Sequence, residues 1–294
     1  MKMNSPIVIF SYNRPKHLNQ LFNSLKKNNL KNYKIFLFCD GPKIKKDIEE
    51  INKIKKIILM SGIKFQKKVF RKKNIGLANN IIDGVSSVLK KNKQCIVLED
   101  DLILNSQTIN YMNNALNKFR GNKKFGSVSA YSYLNDFKKL KNYNFYISKR
   151  HSSWCWGTWS YIWTKINWEK INYKEHFQSK SSINHFSEGG NDLNLLLWGQ
   201  YNRLINSWAI RFNYFCSKNN LLSIQPRYSM VINDGKDFSG THEKISFKKE
   251  NNRFFPRNIS KIIRSEKIDQ FIKNNHRRSI KISIIYFLKN LRIL

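Results

Sequence analysis

Through the first hundred residues, short continuous apolar runs alternate with stretches whose apolar residues recur every three or four positions. "PIVIFSY" (6–12), "YKIFLFCD" (33–40), "KFQKKVF" (64–70) and "QCIVLED" (94–100) are runs of the first kind, and they read as strands. Turn signals such as "NRP" and "DGP" close two of them. Between them, "KHLNQLFNSLKK" (16–27) sets Leu18, Leu21, Phe22 and Leu25 on one helical face. Residues 47–60 read as a second helix, and 75–90 as a third with Leu77, Ile81, Val85 and Leu89 in register. Unbroken apolar strands separated by helices predict an α/β fold, a mostly parallel sheet with helices on both faces. Ligands of such sheets bind outside the carboxyl ends of the strands. Those ends carry Asn13-Arg14, Asp40-Gly41 and Glu99-Asp100-Asp101, so these groups are expected to meet in one crevice.

Beyond residue 105 the pattern predicts a helix at 108–119 and a strand at 126–133. Residues 150–168 hold Trp154, Trp156, Trp159, Trp163 and Trp168. The polar stretch 187–200 leads into a helix that Asn191 or a neighbouring glycine could start, with Asp192 in its first turn. Past residue 243 the chain turns basic and poorly patterned. The expected division is one domain at 1–245, in halves 1–105 and 106–245, then a basic tail at 246–294. Within the tail, 277–294 places Ile280, Ile284, Phe287, Leu288, Leu291 and Leu294 on one helical face among Lys and Arg. Such a helix suits an anionic membrane surface; the alternative is a terminal helix packed on the domain.

A chain of 294 residues with 41% hydrophobic and 14% aromatic residues can build a real core, which excludes a disordered protein. The 54 Lys+Arg against 19 Asp+Glu give a net charge of +35. That surface attracts polyanions such as nucleic acid, anionic lipid headgroups or sugar diphosphates, or it is simply a solvated lysine face. Nucleic-acid binding is disfavoured because no helix-turn-helix, zinc or RNP-like motif accompanies the charge. No window of 18 or more apolar residues occurs, and "MKMNSPIVIF" lacks a signal-peptide core. The expected location is therefore cytoplasmic, peripheral on the inner face of the plasma membrane. Cys39, Cys95, Cys155 and Cys216 are too scattered for a metal cluster and are expected to be free thiols.

Against this basic background, Glu99, Asp100 and Asp101 stand side by side between apolar runs in "CIVLEDDLIL". Adjacent carboxylates repel, and apolar flanks make their ionisation costlier, so the cluster calls for a cation. The alternative is an acidic cluster capping a helix without a metal.

"VLEDDL" (97–102) resembles the acidic motif of nucleotide-sugar glycosyltransferases with the GT-A fold. It is similar to that of the N-acetylglucosaminyltransferase I family and its bacterial surface-glycan relatives. "SYNRP", "FCDG", "NIGLANNIIDGV", "GSVSAYSY", "WCWGTWSYIW", "GGNDLNLLL" and "INDGKDFSGTH" follow the order of that family's motifs over roughly residues 5–245. The resemblance implies an enzyme moving a hexosyl or N-acetylhexosaminyl group from a UDP-sugar to a glycan or lipid-linked glycan acceptor, by inversion. It implies Mn²⁺ or Mg²⁺ held by Asp101, with Asp100 on the ribose or donor sugar and Glu99 beside them. Asp40 would meet the uracil, or merely form the turn before Gly41. Arg14 would bind the nucleotide, or be a surface residue before Pro15. Asp192 would be the general base, or an acid serving a helix dipole. His242 would be a second metal ligand or diphosphate contact, or a solvent-exposed histidine. Trp154, Trp156 and Trp159 would stack on sugar faces, or belong to the core. A nucleotidyltransferase would use the same fold class, but "SYNRP" is not the glycine-rich phosphate loop it normally shows after its first strand.

Overall fold

The structure, a computed structural model, describes residues 4–134, 143–169, 171–235 and 262–276. The first half runs β1 (Ile7–Ser11), α1 (Pro15–Leu25), β2 (Ile35–Cys39), α2 (Lys45–Met60), β3 (Lys67–Phe70), α3 (Leu77–Leu89) and β4 (Gln94–Glu99). It continues through β5 (Leu102–Leu104), α4 (Thr108–Lys118), β6 (Phe125–Ser129), β7 (Phe145–Ser148) and β8 (Trp156–Trp159). Then come α5 (Ser160–Trp163), α6 (Tyr173–Gln178), α7 (Lys180–Ser187), α8 (Leu193–Tyr201) and α9 (Trp208–Lys218). The described elements end with β9 (Leu222–Pro226), β10 (Val231–Asn233), β11 (Ile262–Ile263) and α10 (Glu266–Asn275).

The main sheet has the order β11-β7-β9-β6-β8-β4-β1-β2-β3, and β10 pairs with β5 in a small second sheet. This is the mostly parallel α/β class expected. Strand β1 lies between β2 and β4, parallel to both, with Ile7 level with Ile35 and Ile96. All five of its residues are buried, which is why it reads as an unbroken apolar run. The chain steps from β1 to β2 to β3 in one direction and then returns past β1 to β4. Right-handed crossovers therefore put α1 and α2 on one face and α3 on the other. The reversal between β1 and β4 is a switch point, and their carboxyl ends open into a crevice there.

Beyond β4 the sheet becomes mixed, because β8 runs antiparallel between β4 and β6. The tryptophan segment is thus a central strand rather than a rim of the acceptor side. Trp156 and Trp159 are 1% and 0% exposed, and Trp159 Nε1 donates to the Leu116 carbonyl at 3.0 Å. Trp156 stacks on Trp208 with ring centroids 4.5 Å apart. The sugar-stacking role read for Trp156 and Trp159 is corrected: a side chain closed in on both faces of the sheet cannot present its ring to a ligand. Their core alternative holds.

Residues 262–276 do not trail away as tail. Strand β11 extends the sheet beside β7, and Ile268 and Ile272 of α10, spaced for one helical face, are buried with Leu134 and Tyr146. All four cysteines are buried free thiols. His242 and the amphipathic segment 277–294 lie outside the described residues.

Candidate active site

Strand β1 exits through Tyr12, Asn13 and Arg14, and Pro15 opens α1. Asp47, in the first turn of α2, fixes this exit: its carboxylate accepts from the Tyr12 hydroxyl, from Asn13 Nδ2 at 2.7 Å and from the Lys43 and Ile44 amides at 2.9 Å each. Those bonds, the Tyr12 hydroxyl first, hold the Asp47 carboxyl well below the usual carboxylate range. Arg14 is thereby aimed across the sheet end at the acidic triplet. It pairs with Asp100 and also, through Nη1, with Asp101 Oδ2 at 3.2 Å.

Alternation along a strand would send Asp100 away from Glu99 and Asp101. The strand instead stops at Glu99, the chain turns through Asp100 and Asp101, and all three line one cavity. A strand, β5, follows the triplet, so these acids do not cap a helix. Asp100 is buried and accepts from the Tyr12 amide at 3.3 Å. Burial pushes the Glu99 carboxyl up to about 8, the charges of Asp101 and Asp100 add to the rise, and Arg14 opposes it. Asp100 is raised to about 6, again by burial first, with Arg14 holding it down. The rise in both carboxyls shows that one guanidinium does not offset the triplet when all three are ionised, and a further cation would favour their charged forms.

Asp101 Oδ1 is buried and has no hydrogen-bond partner among the described residues. The loop leaving β10 closes over the same carboxylate. The Asp234 amide donates to the Asp101 carbonyl at 2.8 Å, and a Cβ on Gly235 would sit 2.9 Å from Asp101 Oδ2. Only a residue without a side chain lets the loop approach that closely. Among the described residues, no group of three or more His, Cys, Asp or Glu side chains is arranged to enclose a metal. The oxygen-only chemistry and the orphaned Asp101 oxygen nevertheless fit a hard cation in an open site, where one or two carboxylates suffice and phosphates and water complete the shell.

Asp40, at the end of β2, is buried on the far wall. Its Oδ1 accepts from the Gly41 amide at 2.8 Å and the Ile75 amide at 3.0 Å, and its Oδ2 from the Gly76 amide at 3.0 Å. The carboxylate therefore forms the turn before Gly41 and also clamps the loop entering α3. Gly76, at φ +79°, heads that helix in a conformation side-chain-bearing residues avoid. The cavity these walls enclose measures about 760 Å³. Asn74, Asn80, Lys43, Leu77 and Asn233 also line it. Sequence reading passed over them because loop asparagines and a lysine among 54 basic residues carry no pattern. Leu77, which its helical register assigns to the core, is 56% exposed.

Trp154 borders this crevice and also a smaller cavity of about 160 Å³ that holds Tyr131, Tyr133 and Arg150. Asp192 lies beyond, immediately before α8 rather than inside its first turn. Its carboxylate takes both arms of Arg150, at 2.8 and 2.9 Å, with both side chains largely buried. Burial alone would lower the Arg150 guanidinium, but the charge and hydrogen bonds of Asp192 together with Tyr133 hold the group above its ordinary value. Arg150 was missed in the sequence because it stands 42 positions from its partner.

The protein is a glycosyltransferase: the chain belongs to glycosyl transferase family 2, whose family model matches residues 7–186. Among solved structures it is similar to TarS of S. aureus, at 13% identity over 43% of this chain and 21% of that chain, with a TM-score of 0.32. It thus spans about a fifth of the length of TarS. It is similar to the mannosyltransferase PcManGT of Pyrobaculum calidifontis, solved in complex with GDP-Man and Mn²⁺, at 7% identity over 74% of this chain and 70% of that chain (TM-score 0.42). It is also similar to the galactosyltransferase LgtC, in complex with donor and acceptor sugar analogs, at 7% identity over 74% and 72% of the two chains (TM-score 0.41). No curated protein matches the chain.

Proposed function

We propose that the protein transfers a sugar from a UDP-sugar to a hydroxyl of a bacterial surface glycan, in a metal-dependent, inverting reaction. The acceptor class is lipopolysaccharide, lipooligosaccharide or capsule, as the likeness to the N-acetylglucosaminyltransferase I family and its bacterial relatives suggests. One observation carries the metal-dependent donor site: a buried Asp101 oxygen with no partner among the described residues, in an acidic triplet of which Asp100 and Asp101 share one arginine, at the sheet's switch point.

Asp101 would hold Mn²⁺ or Mg²⁺, with His242, which lies outside the described residues, as a second contact. A bound divalent ion supplies neutralisation of the charge that grows on the diphosphate as the glycosidic bond breaks. Arg14, held by Asp100 and Asp101, would orient the nucleotide side of that diphosphate, and guanidinium suits such anions. Asp100 and Glu99 would face the ribose and donor sugar. Asp40 keeps lone pairs beyond its three backbone bonds, and one would accept from the uracil N3–H.

An inverting displacement needs one base. Asp192 would take the acceptor hydroxyl proton as that oxygen attacks the anomeric carbon and UDP departs. Its two bonds to Arg150 orient the carboxylate, and Trp154 bridges the donor crevice and the cavity beside Arg150. We assign residues 1–245 to catalysis, in two halves meeting near residue 105; of the basic stretch 246–294, residues 262–276 pack back on the domain, and the helix 277–294 would lie on an anionic membrane surface. A peripheral place on the inner face of the plasma membrane accompanies this; no helix among the described residues is long and apolar enough to cross a membrane. Nucleic acid has no part in the reading.

A panel of UDP-sugars incubated with the protein and Mn²⁺, with and without chelator, tests it. Slow release of UDP from one donor, abolished by chelator, is expected. Release that ignores the chelator would remove the metal from the proposal.

A further inference from the structure

A second large concavity lies outside the site described, between α1 and α2. It encloses about 720 Å³ and its wall is mostly apolar. Phe22 of α1 and Ile57 and Met60 of α2 line it. Met60 is 86% exposed, an unbranched apolar side chain standing in solvent at the end of its helix. The rim is cationic: Lys16 rises from α1 and Lys26 from the position just past its end, and Lys53 and Lys56 from α2. One acid, Glu50, lies among them, and it is engaged by Lys53 at 2.6 Å. The spacing explains the shape. On α1, residues 15, 19, 22 and 26, and on α2, residues 50, 53, 57 and 60, are stripes of one helical face each, so a groove runs between two parallel ridges. Arg14 and Pro15 stand at its end, and Arg14 also lines the acidic crevice.

An apolar trough fringed by flexible lysines matches one chemistry, an acyl layer capped by anionic headgroups. Lysine stems lie along apolar surface while the ammonium groups reach outward to phosphate. A second copy of this chain would bring lysines against lysines. The basic segment 277–294 is disfavoured for the same reason. We propose that the α1–α2 groove docks the protein on a membrane surface rich in anionic lipid, with Met60 entering the headgroup and acyl boundary. The proposal does not depend on the sugar or the metal. It would set the crevice, which shares Arg14, beside the bilayer.

The full chain allows a direct test, because its four native cysteines are buried and a new one can be labelled selectively. A polarity-sensitive dye on Met60→Cys is mixed with vesicles of phosphatidylglycerol and phosphatidylcholine, and separately with phosphatidylcholine alone. A blue shift with the mixed vesicles only is expected. Flotation then compares Lys16, Lys53 and Lys56 all changed to Glu with a control set, Lys90, Lys91 and Lys93 changed to Glu at the end of α3 on the opposite face of the sheet. The groove set should lower binding at least about tenfold, since each lysine at the surface contributes appreciably, while the control set should change it far less. Equal loss in both sets would reduce the effect to net charge and overturn the proposal. So would vesicle binding with no change at the dye, which would leave attachment to other parts of the chain.

Discussion

Asp101 is set apart from its neighbours by what its two oxygens do. Oδ2 is committed to Arg14 and crowded by Gly235, while Oδ1 is buried with no partner among the described residues. Asp101→Asn keeps the shape and removes the charge. We expect UDP affinity in the presence of Mn²⁺ to fall on the order of a hundredfold, the scale of losing several kcal/mol of charge stabilisation, with little change in Tm. Gly235→Ala places a methyl group within 2.9 Å of both Asp101 Oδ2 and Asn233 Oδ1. It should raise the Mn²⁺ concentration needed for half-maximal UDP binding while leaving metal-free behaviour unchanged; titrating Mn²⁺ at fixed UDP reads this out.

At the scale of elements, the strand carrying Trp156 and Trp159 and the junction before α8 give opposite expectations. Trp156→Ala opens a cavity in a packed core and should cost about 3–5 kcal/mol in chemical denaturation, with donor KM unchanged in whatever protein remains folded. Arg150→Met leaves Asp192 buried without its counter-ion and should cost about 3 kcal/mol. Asp192→Asn keeps most of the geometry, so donor binding should persist while transfer to an acceptor disappears; normal turnover would remove the base assignment. The first four strands and three helices were legible because an unbroken apolar run and a three-to-four repeat are local signals, and the parallel sheet follows from their alternation. The crevice was legible for the same reason, through the strand-end rule. The aromatic segment was not. Its strand is antiparallel and inserted between β4 and β6, a tertiary choice that no local pattern reports, so tryptophans that complete the core looked like a ligand rim. Residues 262–276 were hidden likewise, since a two-residue strand and a ten-residue helix gain their meaning from β7 and Tyr146.

Across the whole molecule, stability should depend on acid through His151. Its ring is buried, Nδ1 lies 2.7 Å from Ser127 Oγ and Nε2 lies 3.2 Å from the Leu221 carbonyl oxygen. Burial lowers its pKa from 6.5 to about 4. The unfolded chain thus binds a proton that the folded chain refuses between those values. The His151 contribution is fully present above pH 6.5 and is lost as the pH drops toward 4, about 3 kcal/mol in all, while the raised carboxyls Glu99 and Asp100 contribute with the opposite sign. The difference in urea midpoint between the parent protein and His151→Asn, measured across that range, isolates the His151 contribution: the parent's advantage should shrink as the pH falls from 6.5 toward 4. The claim that unites crevice, charge and family is that a cation and a nucleotide occupy one site together, each needing the other. Thermal unfolding with UDP alone, Mn²⁺ alone and both, in the parent protein and in Asp101→Asn, tests it most directly. A rise in Tm that requires both ligands and vanishes in the variant is the expected result; stabilisation by UDP that is the same with or without Mn²⁺, and the same in Asp101→Asn, would contradict it.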